Sequence, residues 1–326
     1  LMGMGAFPGT SYLSLGMLGT HGTRYANYAI GECDVLIAVG VRFDDRVTGR
    51  LETFAPNARV IHIDIDAAEI GKNTAAHIPI VGQAKEALQA LLPRLKTRME
   101  LTEWHDVIAH WKDEFPLRYG QPSPGRIMPQ HIVETIYDLT RGDAIITTEV
   151  GQNQMWAAQY YLFKEPRSFV SSGGLGTMGY GLPAAIGAKL ACPEKTVFDI
   201  AGDGSIQMNI QELGTAMQYK IPVIICILNN QYLGMVRQWQ ELFHEGRYSY
   251  TDMSHQPDFV KLAEAYGAVG MRVNRTEDVR GALKEAMQIT DRPVIIDFWV
   301  EREAGVYPMV PPGESILNML GGDLDE

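Results

Sequence analysis

The sequence predicts an α/β protein built from two doubly wound parallel-sheet domains, the first of them Rossmann-like. Its 326 residues suffice for about two domains at roughly 150 residues each. Continuous apolar runs such as Val35–Val39 are typical of strands that a parallel sheet covers on both faces. These runs alternate with helical patterns, and that alternation implies right-handed crossover connections.

The first predicted domain extends over residues 1–95. Its strands are the run Val35–Gly40 and the run Arg59–Asp66, with helical patterns before and after them, including one over Ala84–Leu95. The chain opens with Leu1-Met2-Gly3 and shows no basic-then-apolar targeting segment. We expect this start to lie inside a domain of a longer protein.

A connector is predicted over residues 96–127. It holds an amphipathic helix at Thr102–Phe115, which places Trp104 and Trp111 on one side. The Pro/Gly cluster of residues 121–125 cannot continue a helix and marks a boundary.

The second predicted domain covers residues 128–326 and again alternates strands with helices. We predict strands over Ala144–Thr148, Thr196–Ala201, Pro222–Leu228 and Pro293–Val300. We predict helices over Pro129–Leu139, Gly181–Ala191, Asn209–Tyr219, Asp258–Tyr266 and Glu277–Thr290. An acidic tail, residues 321–326, ends the chain.

Composition excludes several classes of function. The 28 Lys and Arg against 39 Asp and Glu give a net charge of −11, which repels phosphate backbones, so no nucleic-acid partner is expected. The longest apolar run, 221–228, is far shorter than the ~20 residues of a membrane-spanning helix. The three cysteines, Cys33, Cys192 and Cys226, lack metal-ligand spacing and suit a reducing compartment, which predicts a cytoplasmic protein.

The most informative motif is Gly202-Asp203-Gly204-Ser205, which is followed by Asn229-Asn230. The 24 residues between Gly204 and Asn229 fit one helix plus one buried strand, so both motifs reach the same carboxyl edge of the sheet. The glycines permit close approach to an anion, and a helix after Ser205 would point its N–H groups at it. Carboxylate and amide oxygens suit Mg²⁺. The pattern therefore predicts a metal–diphosphate site, the alternative being a plain strand-to-helix turn capped by Asp203.

This spacing resembles the thiamine diphosphate motif, and three further segments narrow the resemblance. They are residues 151–156 (GQNQMW), 172–179 (SGGLGTMG) and 230–239 (NQYLGMVRQW). Together they are similar to the catalytic subunit of acetohydroxyacid synthase (acetolactate synthase) over essentially the whole chain. The resemblance implies a central FAD-binding domain followed by a thiamine diphosphate-binding domain.

In the second domain, the resemblance implies that Mg²⁺ is held by the side chains of Asp203 and Asn230 and the main-chain carbonyl of Tyr232. The resemblance also implies three catalytic positions. Met178 holds the cofactor in its conformation, Trp239 selects the second 2-ketoacid by size, and Met235 is the third. Periodicity alone favours core packing for Met178 and Trp239. The implied thiamine diphosphate contacts are Gly151, Gln152, Asn153, Gly176, Met178, Gly202, Asp203, Gly204, Ser205, Asn230, Tyr232, Leu233, Gly234 and Met235.

The residues of the first domain do not by themselves decide whether it has a nucleotide site. Glycine and arginine after one strand and an acidic residue at the end of the next suit a dinucleotide, but G-x-G-x-x-G is absent, so a plain structural sheet fits equally well. The resemblance favours FAD, with contacts at His21, Gly22, Gly40, Arg42, Asp64, Ile65 and Gln83.

Two residues depart from the family pattern. Asn153 replaces a histidine that helps to hold the diphosphate, and we expect it to donate a hydrogen bond without a positive charge. Gln83 replaces an aspartate near the adenine of the flavin.

The function that the resemblance implies is decarboxylation of pyruvate and its carboligation to a second pyruvate or 2-ketobutyrate, in branched-chain amino-acid biosynthesis. The activating glutamate belongs to an N-terminal pyrimidine-binding domain that no motif here matches, so the chain alone is expected to be inactive. The family also implies a homodimer or tetramer with sites across chains, a separate regulatory subunit, and a plastid stroma if the source is eukaryotic. The alternatives are a pyruvate oxidase or other thiamine-dependent decarboxylase, and a non-catalytic cofactor-binding module.

Overall fold

A computed structural model describes residues 1–95 and 100–321 of the chain. Part of the predicted connector, residues 96–99, and most of the predicted acidic tail, residues 322–326, lie outside the described residues. Two compact units make up the fold, each with its own parallel sheet, which confirms the predicted α/β class. We call them the three-stranded unit and the six-stranded unit.

The three-stranded unit comprises Leu15–Arg118 and the segment that begins at Tyr307. Its strands β1, β2 and β3 pair in parallel in the order β1-β2-β3 and span Val35–Val39, Arg59–Asp64 and Ile78–Val81. Its helices α1 to α4 span Arg24–Glu32, Asp45–Thr48, Ala84–Leu91 and Thr102–Glu114.

Two elements of this unit differ from the prediction for reasons that involve proline. Helix α3 ends at Leu91 and a 3₁₀ turn follows over Leu92–Arg94, because Pro93 cannot continue the α-helical hydrogen bonds. Strand β3 was not predicted, since Pro79 in a four-residue run demotes the pattern. At the edge of the sheet that proline is tolerated.

Helix α4 lies inside the three-stranded unit and not in a separate connector. The ring of Tyr28 on α1 meets Trp111 and Phe115 edge to face, with centroids 5.7 and 5.6 Å away. The segment after Tyr307 also belongs here, because the N–H of Val310 donates to the carbonyl of Thr20 at 2.8 Å and Ile316 is buried in the core. Such long-range returns leave no periodic pattern in the sequence.

The six-stranded unit comprises Leu1–Ser14 and Tyr119–Val306. Its sheet is parallel throughout, with strand order β5-β4-β6-β7-β9-β8. Strands β4 to β9 span Ala144–Thr148, Phe169–Ser171, Thr196–Gly202, Ile224–Asn229, Val269–Val273 and Val294–Trp299. Helices α5 to α11 span Pro129–Thr140, Gln152–Tyr160, Gly181–Ala191, Leu213–Gln218, Gly234–Phe243, Phe259–Tyr266 and Thr276–Gln288.

A large apolar core covers this sheet. Its members include Leu182 on α7, Val197 on β6, Ile225 on β7 and Phe259 on α10, all fully buried. Every residue of β7 is buried, as expected for a central strand of a parallel sheet. Within residues 1–95 and 100–321, none of the helices is long and apolar enough to span a membrane.

The strand order of the six-stranded sheet reverses between β4 and β6. Strand β5 lies on one side of β4 and β6 lies on the other, so the connection from β4 to β5 runs in one direction and the connection from β5 to β6 runs back past β4 in the other. A reversal of this kind opens a crevice at the carboxyl ends of the two strands, where open α/β sheets bind ligands. This crevice is therefore the expected position of a ligand-binding site.

Candidate active site

A cavity of about 110 Å³ lies at the carboxyl ends of β4, β6 and β7. Its wall includes every thiamine diphosphate contact predicted from the sequence except Gly176. It also includes four residues that the sequence reasoning missed, namely Val150, Trp156, Leu228 and Val236. Trp156 and Val236 lie inside the quoted segments 151–156 and 230–239, and Val150 and Leu228 adjoin a quoted motif, which is the only signal that pointed to them.

Asp203 supplies a buried negative group to this cavity. The side chain is 1% exposed, and its Oδ2 has no hydrogen-bond partner among the described residues. Burial raises the pKa of Asp203 to about 7, although hydrogen bonds from backbone N–H groups and Gln256 oppose the rise. An unpaired carboxylate oxygen that is buried costs free energy unless a cation or donor satisfies it. A hard cation such as Mg²⁺ therefore fits this position.

The loop after β7 brings Asn230 and Tyr232 beside Asp203. The Oδ1 of Asn230 accepts from the N–H of Tyr232 at 3.1 Å, and its Nδ2 donates to Oε1 of Gln152 at 3.1 Å. Backbone bonds fix the loop: the N–H of Leu233 donates to the carbonyl of Thr251 at 2.9 Å. The oxygens named for the metal thus lie on a backbone that is already held in place.

The ring of Tyr232 lies close to two guanidinium groups. The Cζ of Arg302 is 4.5 Å from the ring centroid, and that of Arg237 is 5.2 Å from it. Arg237 is buried and pairs with Glu241 and Glu303 at 3.1 and 3.2 Å. Cation–π contacts of this kind restrain the ring, and no sequence pattern indicated them.

Gln152 connects the turn after β4 with the loop after β7. Its Nε2 donates to Oε1 of Gln238 and to the carbonyl of Ala304, both at 3.0 Å. Gly234 lies against this amide, because a Cβ at that position would be 1.9 Å from Oε1 of Gln152. Any larger residue at 234 would displace the network that orients Asn230.

The helix N-termini at the cavity differ from the prediction. Ser205 is followed by two 3₁₀ turns, Ile206–Met208 and Ile210–Glu212, and α8 begins only at Leu213, so the predicted helix does not start at the motif. Instead, the first turns of α6 and α9 line the cavity, and neither has a side-chain cap. Uncapped N–H groups at two helix starts favour an anion such as a diphosphate.

Asn153 lies in the cavity wall, but its donors are engaged elsewhere. Its Nδ2 donates to the carbonyls of Glu149 at 3.1 Å and Ile200 at 2.7 Å. An amide flip would set its oxygen against both carbonyl oxygens, so this orientation is fixed. The expectation that Asn153 donates a hydrogen bond to the diphosphate is wrong for this conformation, because both hydrogens are used.

The structure places the three predicted catalytic residues differently. Met178 and Met235 line the cavity. Trp239 lies one turn after Met235 on α9, is half-buried, packs its ring edge to face on Phe243 at 5.4 Å, and is not part of the cavity wall. Gly176 lies in the loop that leads to Met178, with a φ of +67°. These four positions stay predictions.

The predicted flavin residues lie in the three-stranded unit. Gly40 follows β1, Asp64 ends β2 and Gln83 precedes α3 after β3, so parallel pairing brings them to one edge of the sheet with Ile65. Arg42 is exposed and pairs with Asp44 at 3.0 Å. This edge is more open than the cavity of the six-stranded unit, and its ligand stays a prediction.

The other two flavin positions precede α1. Gly22 is buried. Burial is also the main cause that lowers the pKa of His21 to about 4, so the imidazole of His21 is neutral near pH 7. A neutral imidazole offers one donor and one acceptor. It does not offer a positive charge to a phosphate.

Comparisons with known proteins agree with this geometry. The chain matches the central domain of thiamine pyrophosphate enzymes over residues 1–91 and their C-terminal TPP-binding domain over residues 149–298. The acetolactate synthase large subunit of Haemophilus influenzae is 50% identical over 325 residues, which are 98% of this chain and 56% of that protein. The isozyme 3 large subunit of Escherichia coli is 48% identical over 334 residues, covering 100% and 57%.

A third relative, the acetolactate synthase large subunit of Parasynechococcus marenigrum, is 50% identical over 98% of this chain and 52% of that protein. The chain thus spans about half the length of the curated relatives it matches. The resemblance noted in the sequence is confirmed: the chain carries matches to the central and C-terminal domains of thiamine pyrophosphate enzymes, and acetolactate synthase large subunits are about 50% identical to nearly all of it.

Proposed function

We propose that this chain forms the diphosphate- and metal-binding part of an acetohydroxyacid synthase. The observation that carries the proposal is the buried, unpartnered Oδ2 of Asp203 in a cavity at the strand reversal. The first turns of α6 and α9 line the same cavity and leave N–H groups without side-chain caps. A negative oxygen beside N–H groups that lack side-chain caps fits a diphosphate that is bound through a divalent cation.

Different residues of the cavity would bind the metal and the diphosphate. Asp203, Asn230 and the carbonyl of Tyr232 would hold Mg²⁺, and the first-turn N–H groups of α6 and α9 would hold the diphosphate. Met178 and Met235 line the cavity, and their apolar side chains would exclude water from the reacting centre. When bound, thiamine diphosphate supplies the electron sink that decarboxylation of a 2-ketoacid requires.

The substrates proposed are pyruvate and, as the second 2-ketoacid, pyruvate or 2-ketobutyrate, which gives acetolactate or acetohydroxybutyrate. Trp239 would discriminate between the second substrates by size from a wall outside the described cavity. FAD would bind at the carboxyl edge of the three-stranded sheet. The relatives are named large subunits, which supports a separate regulatory subunit, and we place the protein in the cytoplasm as a homodimer or tetramer.

A chimera tests this proposal directly. The 325 matched residues of the Haemophilus influenzae relative are replaced by this chain, and acetolactate formation from pyruvate is measured with thiamine diphosphate, Mg²⁺ and FAD. We expect an active chimera and no activity from this chain alone. Asp203→Asn should abolish the activity, whereas the matched control Asp291→Asn, at an exposed ion pair with Arg292, should leave it unchanged. A folded chimera that binds the cofactor but forms no acetolactate would contradict the proposed reaction.

A further inference from the structure

Two carboxyl groups, those of Glu149 and Asp199, are fully buried in the six-stranded unit. Glu149 directly precedes Val150 and Gly151, which line the cavity. Asp199 lies on β6, where it is in register with Thr147 of β4. Buried carboxyl groups are rare unless they are bonded or neutralised, so the pair requires a physical explanation.

Glu149 binds the start of helix α7. Its Oε2 accepts from the N–H of Gly179 at 2.5 Å, and its Oε1 accepts from the N–H of Leu182 at 3.2 Å. These donors belong to the residues around the N-terminus of an 11-residue helix, where a negative charge is stabilised by the helix dipole. Met178, which lines the cavity, directly precedes Gly179.

The close approach of α7 to this pair depends on Gly181. A Cβ at that position would lie 2.3 Å from Oδ1 of Asp199 and 2.6 Å from the backbone nitrogen of Glu149. The start of the helix is therefore packed against Asp199 of β6 and against the backbone at the end of β4. Only a residue without a side chain permits this contact.

The two carboxyl groups have unequal surroundings. Glu149 receives backbone N–H bonds, whereas Asp199 receives one bond, from Oγ1 of Thr147 at 3.1 Å, and its Oδ2 has no partner among the described residues. Burial, and then repulsion from Glu149, raises the pKa of Asp199 well above its usual value. Burial also raises the pKa of Glu149, to about 7, against the opposing effect of the N–H bonds. Repulsion between two buried like charges disfavours ionising both, and the N–H bonds to Glu149 favour the charge there, so the proton belongs on Asp199.

We propose that Glu149 is a positioning residue whose carboxylate, beside a protonated Asp199, accepts the N–H groups of Gly179 and Leu182 and so ties the start of α7 to the end of β4. This tie fixes Met178 on one side of the cavity and Val150–Gly151 on another. The inference rests on the proposed function for its effect on the cofactor, but the structural tie exists without any ligand.

The test compares Glu149→Gln with Asp199→Asn in the chain as it stands. Hydrogen exchange of the amides of residues 179–182 is measured by mass spectrometry without cofactor, with the first turn of α11 as internal reference. The tie predicts at least tenfold faster exchange in Glu149→Gln, because the amide replaces one acceptor oxygen with a donor that faces N–H groups. Asp199→Asn mimics the protonated acid and should leave exchange within about twofold of the original.

A second readout connects the tie with the cofactor. Thiamine diphosphate is titrated with saturating Mg²⁺, and Kd should rise at least tenfold in Glu149→Gln and less than threefold in Asp199→Asn. Unchanged exchange in Glu149→Gln, or equal loss in both variants, would overturn the inference. If Glu149→Gln does not fold, hydrogen exchange in Asp199→Asn still tests the inference. Faster exchange in Asp199→Asn contradicts a proton on Asp199, and unchanged exchange supports it. Failure of the original chain to bind thiamine diphosphate would contradict the proposed function and leave the exchange result standing.

Discussion

The two parallel sheets of this molecule differ in how they are covered and in what their edges can bind. Every residue of β7 in the six-stranded sheet is buried, whereas Val35 and Ile37 on β1 of the three-stranded sheet are each 48% exposed. The six-stranded sheet reverses its strand order and has a cavity at the reversal. Among the described residues, the three-stranded sheet runs in the order β1-β2-β3 without a reversal.

This difference in coverage determines how strongly a charged side chain acts at the edge of each sheet. In the cavity a single carboxylate, Asp203, is removed from water and its effect on a cation is large. At the open edge the charge of Arg42 is screened by solvent and by its pair with Asp44. The same chain thus offers one site in which a charge change is decisive and one in which it is weak.

The largest expected effect is a loss of unfolding free energy when core volume is removed from the six-stranded sheet, with the three-stranded sheet as the comparison. Ile225→Ala on β7 should lower the free energy of unfolding by about 3–5 kcal/mol, because the residue is fully buried and leaves a cavity. Ile37→Ala on β1 should cost less than about 1 kcal/mol, because half of that side chain is already exposed. Urea denaturation measures both, and similar costs would show that the two sheets are covered alike.

A shift in pH should affect the two units in opposite directions. Burial lowers the pKa of His21 from 6.5 to about 4, so the unfolded chain takes up a proton first and the three-stranded unit loses up to about 3 kcal/mol as pH falls from 6.5 to 4. Burial raises the pKa of Glu149 and Asp203 to about 7, so folded carboxyl groups hold protons that the unfolded chain releases. The six-stranded unit should therefore gain stability as pH falls from 7 to about 4.5.

Hydrogen exchange resolved by region checks this pair of signs. Protection of α1 and of β7 is measured at pH 4.5 and pH 7 and corrected for the intrinsic exchange rate. We expect protection of α1 to fall at the lower pH and protection of β7 to rise. A change of the same sign in both regions would contradict the expected opposite pH dependence of the two units.

A smaller effect is expected at the ring of Tyr232. Arg302→Met removes the nearer guanidinium and keeps most of the aliphatic volume, so the loop that carries the metal oxygens should lose about 1 kcal/mol of restraint. The Mg²⁺ concentration needed for half-maximal cofactor binding should then rise by about fivefold. An unchanged requirement for Mg²⁺ would show that the backbone bonds of this loop are sufficient.

The smallest effect is expected at the open edge. Arg42→Gln breaks an exposed ion pair with Asp44 and should change the free energy of unfolding by less than about 0.5 kcal/mol. Thermal unfolding of this variant provides the measurement. A loss above 1 kcal/mol would mean that the edge is less open than the exposure of Arg42 indicates.

Where the sequence predicted the fold well, the local pattern matched the final environment. Strand β4 and helix α7 have the predicted bounds, because their apolar runs are buried as the pattern requires. Helix α6 was missed, since it carries Gln152, Asn153 and Gln154 in its first turn and is buried nearly all round, so no amphipathic stripe marks it. The return of the chain from Tyr307 is a tertiary contact without a local pattern.

The candidate site divides in the same way. The spacing of Asp203 and Asn230 predicted their meeting, because parallel strands deliver their ends to one edge. The pairing of Glu149 with α7 was not predictable, since Asp199 lies within an otherwise apolar strand and Glu149 precedes a glycine that resembles an ordinary turn. The engaged donors of Asn153 likewise follow from atoms that only the fold brings together.

The central claim is that Asp203 holds a divalent cation that bridges to a diphosphate in the cavity. Calorimetric titration of the chain with thiamine diphosphate, with and without Mg²⁺, tests it most directly. We predict binding that requires Mg²⁺ and that weakens by at least about 100-fold in Asp203→Asn, since even partners of metal ligands contribute 10–100-fold to metal affinity. Binding that is independent of Mg²⁺, or equally tight in Asp203→Asn, would contradict the account.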